Sequence, residues 1–198
     1  MKIPTLQLTA GQALWVINRG REPDTRLRNE ARYLRKMGIP HDEDKVGTGR
    51  GNRLLYRYED IVELGVALYA LHRGMKPMDI AIAIKQDRET YRQVFRDALA
   101  RLSEAELNAD WVKSRGRTIP VFLSDIHLRL HARYSKTPGR YEIVAPDQAT
   151  SIEQMFGLRE IHGDGEGIFL VPLTRLAIEY LAWAREAPEI RPGRTARS

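Results

Sequence analysis

Cysteine is absent from the 198 residues. This excludes disulfides, iron–sulfur clusters, thiolate zinc sites and redox sensing by thiols, and it accords with a reducing compartment. Long apolar runs are absent as well. No stretch approaches the roughly 20 apolar residues that a membrane helix needs. The opening MKIPTLQLTAGQ has no apolar core of the length a secretory signal carries. Aromatics are few, 3 Trp, 8 Tyr and 4 Phe, and Trp15, Trp111 and Trp183 read as core. Five histidines are scattered with no Ser-His-Asp or other activated-nucleophile pattern. At roughly 100–200 residues per domain the length allows one or two domains, and a single one would bury about 70% of its unfolded surface. The expectation is a soluble, basic, cytoplasmic protein that is not an enzyme.

Charge is present, and its placement is informative. The net value is +6, but residues 19–57 alone hold 11 basic against 6 acidic side chains. Most of these cations are arginines, in bursts from Arg19 to Lys36 and from Arg50 to Arg57. Arginine's planar fork suits phosphates and guanine edges better than lysine's point charge.

The local pattern gives these arginines a scaffold. Thr9 caps a helix running through Ala10 to Ile17. After a break at Arg21-Glu22-Pro23, with Pro23 suited to a first turn, a second helix spans about Asp24 to Met37. Leu27, Ala31, Leu34 and Met37 follow a buried rhythm. Thr25, Arg28, Asn29, Arg32 and Lys36 fall on the opposite side, the residue types that read base edges and grip phosphate oxygens. Two helices joined by a turn, the second cationic on its free side, match a helix-turn-helix. Gly38 closes the second helix. Gly47, Gly49 and Gly51, beside Arg50, Asn52 and Arg53, read as a hairpin tip, a wing whose backbone can approach a phosphate. A nucleotide-cradling loop would need GxxxxGK[ST] opening a helix, and that pattern is missing. Glu59-Asp60 then cap an apolar helix from Ile61 to His72, closed by Gly74, and Lys76-Pro77 begin a short one.

Taken in order, Arg32-Tyr33-Leu34-Arg35-Lys36-Met37-Gly38-Ile39, Arg57-Tyr58, Glu59-Asp60-Ile61 and Arg73-Gly74-Met75 resemble the winged helix-turn-helix of MerR-type transcription regulators over about residues 27–85. The chain departs from that pattern by about six extra residues, Arg19 to Asp24, between the first two helices, and by Leu34 in place of an aromatic. The resemblance implies that Arg32 and Tyr33 contact DNA from the recognition helix. It also implies that Arg57 and Tyr58 close the wing against the backbone, and that the partners are double-stranded DNA and a second copy of the chain.

Further on, residues 87–108 carry Tyr91, Val94, Phe95, Ala98, Leu99 and Leu102 on one side of a helix. The stripe either forms a coiled coil with a second subunit or packs against the chain's own C-terminal part. From Arg117 the texture becomes strand-like at 118–123 and 140–145. A short helix follows at 147–156, then a hairpin of 158–162 with 167–171, and an amphipathic helix from Leu173 to Arg185. The expected fold class is mainly α with an α+β C-terminal part. It divides into a winged helix-turn-helix at 1–85, a connecting helix at 86–113, a small α+β domain at 114–187 for an effector, partner or dimer, and a disordered basic tail at 188–198.

Phe122-Leu123-Ser124-Asp125-Ile126-His127 resembles the first metal-binding motif of calcineurin-like metallophosphoesterases. That family also needs Gly-Asp, Gly-Asn-His-Asp/Glu and further histidines. Here only His131 and His162 follow, and no Asn-His pair occurs. On a strand, Asp125, His127 and His131 form the polar side; on a helix, His127 and His131 would be neighbours a metal can use. No EF-hand spacing surrounds Asp164 and Glu166. No catalytic residue, metal ligand or cofactor is assigned. The sequence therefore points to a DNA-binding transcription regulator, the alternatives being an architectural or recombination accessory factor and, more distantly, a metal-dependent phosphoesterase.

Overall fold

The computed structural model describes residues 6–41, 54–86, 88–100, 127–133, 140–144 and 166–188. Within these the chain is mostly helical. Five helices, α1 (Ala10–Ile17), α2 (Thr25–Lys36), α3 (Tyr58–His72), α4 (Pro77–Gln86) and α5 (Arg88–Ala100), precede three strands, β1 (His127–Arg133), β2 (Arg140–Val144) and β3 (Glu166–Pro172). A last helix, α6 (Leu173–Arg185), leaves β3 directly. No helix among the described residues is long and apolar enough to cross a membrane.

The helix starts follow from side chains that satisfy orphan amides. Thr9 and Gln12 form a capping box: the Thr9 amide donates to Gln12 Oε1 at 2.9 Å and the Gln12 amide to Thr9 Oγ1 at 3.4 Å. The Leu27 amide donates to Asp24 Oδ1 at 2.7 Å, so Asp24 is the cap of α2 and Pro23 stands before the helix rather than in its first turn. At α3 the Arg57 amide donates to Asp60 Oδ2 at 2.8 Å. Glu59 and Asp60 therefore sit inside the first turn, where carboxylates favour the helix dipole, and the helix begins at Tyr58 rather than Ile61.

The core is built around α3, which is apolar on nearly every side and buried almost throughout. Ile61, Val62, Leu64 and Ala67 are at most 1% exposed. Helices α1, α2, α4, α5 and α6 all pack against it. The α5 stripe is used within the chain: Tyr91, Phe95 and Leu99 are buried, and α5 packs on α6. It does not serve as an open coiled-coil seam.

Helix α6, expected in a separate unit at 114–187, instead closes the N-terminal helices. Trp183 packs edge-on against Trp15 with ring centroids 5.5 Å apart. Glu179 pairs with Arg19 at 2.8 Å, and the Gln12 side-chain amide Nε2 donates to the Pro188 carbonyl at 2.8 Å. Gly65 lies so close to Tyr180 that a Cβ there would sit 2.4 Å from the phenol oxygen. The strands form an antiparallel sheet in the order β2-β1-β3, with Leu130 opposite Tyr141 on one side and Phe169 on the other. The segment 127–133 is a strand, so the helical arrangement of His127 and His131 does not occur. The elements expected at 118–123, 147–156 and 158–162 and the tail 189–198 lie outside the described residues, as do Trp111, Asp125 and His162.

Candidate nucleic-acid interface

Helix α2 separates its two faces as its sequence dictates. On the inner side Ala31 and Leu34 are 1% and 0% exposed, and Leu27 and Met37 pack against the same core. Each large side chain so buried contributes roughly 1.5–3 kcal/mol, enough to hold the helix as a rigid body. On the outer side Thr25, Arg28, Asn29, Arg32 and Lys36 are exposed, and Tyr33 is 50% exposed. The structure thus brings together on one helical surface all six residues assigned to α2 from the sequence. The helix carries five basic side chains and one acid, Glu30.

The pairs on this surface differ in kind. Glu30 links α2 to α3, accepting from Arg26 at 2.8 Å and meeting His72 Nε2 at 2.7 Å. Partial burial works to raise the Glu30 pKa, but the hydrogen bonds from Arg26 and His72 outweigh it and hold the carboxyl below its ordinary value. Arg28 meets Glu22, but both side chains are more than half exposed. Such a pair contributes little and gives way readily to a stronger anion. Arg35 turns inward, beside the buried Tyr56 hydroxyl.

The C-terminal end of α2 is locked by a network the sequence did not disclose. Gly38 adopts φ +84°, the left-handed geometry that only glycine takes without cost. Its carbonyl accepts from Arg88, and the Pro40 carbonyl accepts from Arg92 at 2.9 Å. The same two guanidinium groups reach α3: Arg88 and Arg92 each lie 3.0 Å from Glu63, and Arg92 lies 2.9 Å from Asp60. Burial pushes the Glu63 carboxyl up to about 7 against the pull of Arg92 and Arg88.

Beyond Pro40, His41 packs edge-on against Tyr56, with centroids 5.0 Å apart. Tyr56 in turn pairs with Leu8 through backbone hydrogen bonds of 3.0 and 2.7 Å. The described ends of the chain on either side of 42–53 therefore meet beside the end of α2. Arg50, Asn52 and Arg53 belong to that segment and lie outside the described residues. Arg57 is exposed. Tyr58 is not available to a ligand: it is 1% exposed, and its hydroxyl donates to the Phe95 carbonyl at 3.2 Å. It is a core residue, because α3 is surrounded and its first turn is already inside.

An apolar groove adjoins this face. Tyr33, Met78 and Ile82 are among the few exposed large apolar side chains, at 50%, 57% and 56%. With Met37 and Ala81 they line a groove of about 520 Å³ between α2 and α4, flanked by Lys36 and Lys85. The run Met78-Asp79-Ile80-Ala81-Ile82-Ala83-Ile84 is apolar on both sides of a helix, which was the available signal. Among the described residues no cluster of three or more His, Cys, Asp or Glu side chains could hold a metal. No protein-family profile, curated protein or solved structure matches the chain.

Proposed function

We propose that this chain is a sequence-specific double-stranded DNA-binding protein that acts as a transcription regulator through a MerR-like winged helix-turn-helix. The observation that carries the reading is α2 itself. A cationic helical face bearing Thr25, Arg28, Asn29, Arg32, Tyr33 and Lys36 is fully presented, while the opposite face is fixed in the core. A rigid helix of this kind fits the major groove, about 12 Å wide.

Arg28, Asn29 and Arg32 then lie toward base edges, as bidentate donors and acceptors for guanine and adenine. Thr25, Tyr33, Lys36 and Arg57 hold phosphates that set the register. Arg50, Asn52 and Arg53, on the segment tethered at His41 and Tyr56, add the wing's backbone contacts. Arg28 exchanges an exposed carboxylate, Glu22, for the nucleic acid at small cost. The chain acts as a homodimer on a two-fold symmetric site, since one small module rarely binds with sufficient specificity. The dimer surface is other than the α5 stripe.

The test is selection of bound duplexes from a random pool by the purified chain, followed by sequencing. Enrichment of a two-fold motif, with half-sites about one helical turn apart, is the expected result. No enrichment over unselected DNA overturns the proposal. Enrichment of bent or AT-rich DNA without a motif replaces it with an architectural role.

A further inference from the structure

Four large apolar side chains stand exposed among the described residues, and three of them border one groove. These are Tyr33 on α2 and Met78 and Ile82 on α4, around the space of about 520 Å³ between the two helices. Apolar side chains exposed singly need no explanation, whereas a contiguous set marks an interaction surface. On α4 the bordering residues Met78, Ala81, Ile82 and Lys85 form the i, i+3, i+4, i+7 stripe of one helical face. On α2 they are Tyr33, Lys36 and Met37. The other side of each helix is fixed in the core. Ile80 and Ile84 on α4 and Ala31 and Leu34 on α2 are at most 4% exposed, so neither helix can turn to hide its stripe.

Charge selects the occupant. Among the described residues the charged groups in the wall are Lys36 and Lys85, and no carboxylate lines it. Both lysines lie at one end of the groove. Lys85 Nζ donates to the Met37 carbonyl at 3.3 Å, which places it beside the last turn of α2, where Lys36 also stands. That bond uses one of three ammonium N–H groups. Lys36 has no ion-pair partner among the described residues, and both side chains are exposed. Met78 lies about two turns back along α4, at the apolar end. A second copy of the chain does not fit this surface: in a two-fold contact of the groove with itself, the charges that meet are lysines. A duplex would meet the lysines with its phosphates but leave Met78, Ala81 and Ile82 uncovered.

We propose that the groove between α2 and α4 docks an amphipathic helix of a partner protein. Its apolar side chains at i, i+3 and i+4 fill the groove, and acidic residues clustered at one end meet Lys36 and Lys85. This is the helix-in-groove mode of recognition. Met37 and Met78, unbranched and polarizable, let the walls adapt to the anchors. The volume falls within the range of concave sites, about 300–1,000 Å³, and so admits a few anchoring side chains. Docking does not depend on the DNA-binding reading. One consequence does rest on it: Tyr33 and Lys36 also belong to the face assigned to the duplex, so partner and duplex compete for α2.

The experiment titrates the full chain into three fluorescein-labelled synthetic peptides of about 15 residues, the length at which isolated helices begin to form. The first carries Leu and Phe on one helical face and Glu clustered at one end. The second has Lys for Glu, and the third has Ala for Leu and Phe. Anisotropy is expected to rise saturably with the first, half-binding falling below about 100 μM. The other two bind at least about tenfold more weakly. Ile82→Ser, at an exposed position, weakens the acidic peptide by about tenfold with the thermal midpoint unchanged. Lys85→Glu weakens the acidic peptide and strengthens the Lys peptide, a reversal that misfolding does not produce. No saturable binding of the acidic peptide, equal binding of all three, full affinity in Ile82→Ser, or no reversal in Lys85→Glu overturns the proposal. Backbone amide shifts at residues 78–82 with random duplex DNA and none with the acidic peptide would give the groove to nucleic acid and overturn it as well. The peptide titrations contain no DNA, so their failure leaves the duplex selection untouched, and failure of that selection leaves docking standing.

Discussion

Arg92 on α5 donates to the carbonyl of Pro40, 2.9 Å away and 52 residues earlier in the chain. The same guanidinium pairs with Asp60 and Glu63 on α3, so one side chain joins three elements at the exit of α2. Both acids are nearly inaccessible, at 4% and 2% exposure. Removing the cation leaves them short of a partner away from water, the costly half of the buried-pair asymmetry. Arg92→Ala is expected to lower stability by about 3–5 kcal/mol at a pH above 7, where Glu63 is ionised, read by urea denaturation. A loss below about 1 kcal/mol, the range of exposed pairs, would show that solvent reaches the network and that Arg92 does not fix the end of α2.

The acid in that network makes a pH prediction. Glu63 holds its proton up to about pH 7 in the fold because burial outweighs Arg92 and Arg88. The unfolded chain releases that proton near the ordinary carboxyl value. Between the two values the native state binds more protons than the unfolded one, so this group's contribution to stability is greatest below about pH 4.5 and declines as pH rises to about 7. Glu63→Gln removes the titrating group. Denaturation at a series of pH values should show the variant's stability changing less over that interval than the parent's. Parallel curves would mean that Glu63 is ionised throughout.

Gly65 tests the joint between α3 and α6. Alanine is the better helix former by about 1 kcal/mol, so an isolated helix would gain from Gly65→Ala. Here the added methyl would meet the Tyr180 ring and hydroxyl at 2.4–2.8 Å, distances that require the buried Tyr180 side chain, or α6 with it, to shift. Overpacking of this kind costs about 1–3 kcal/mol. Net destabilisation of the variant in chemical denaturation is the expected sign, and stabilisation would mean that α6 does not seat on α3 as described.

Local signals carried the sequence reading furthest. The Thr9–Gln12 box, the Asp24 cap and the two faces of α2 are written within single turns of helix, so their positions follow from propensity and period. Pro23 stands just before the Asp24 cap rather than in the first turn, since a proline suits both positions. The role at the wing's end that the resemblance implies for Tyr58 does not fit its burial at 1% exposure. Which side of α3 is covered depends on five other helices, and the last of them, α6, begins at Leu173. Contacts over such separations leave no mark in the local pattern. The reach of Arg88 and Arg92 to Glu63 and the closeness of Gly65 to Tyr180 are contacts of the same kind.

The proposed interface separates into bases and backbone, and two variants distinguish them. Arg32 stands exposed at the middle of α2, where a groove-bound helix meets base edges. Arg32→Ala should weaken binding to the selected sequence by about 1–3 kcal/mol and relax preference at one base position, while nonspecific affinity changes little. Arg53, on the glycine-rich segment, should act on phosphates. Arg53→Ala should weaken all duplexes alike and reduce the slope of log affinity against log salt by about 0.9, the equivalent of one released counterion. Fluorescence anisotropy at several salt concentrations measures both. If Arg53→Ala shifts base preference and Arg32→Ala alters only the salt slope, the glycine-rich segment reads the sequence and α2 merely holds the backbone, the reverse of the arrangement proposed.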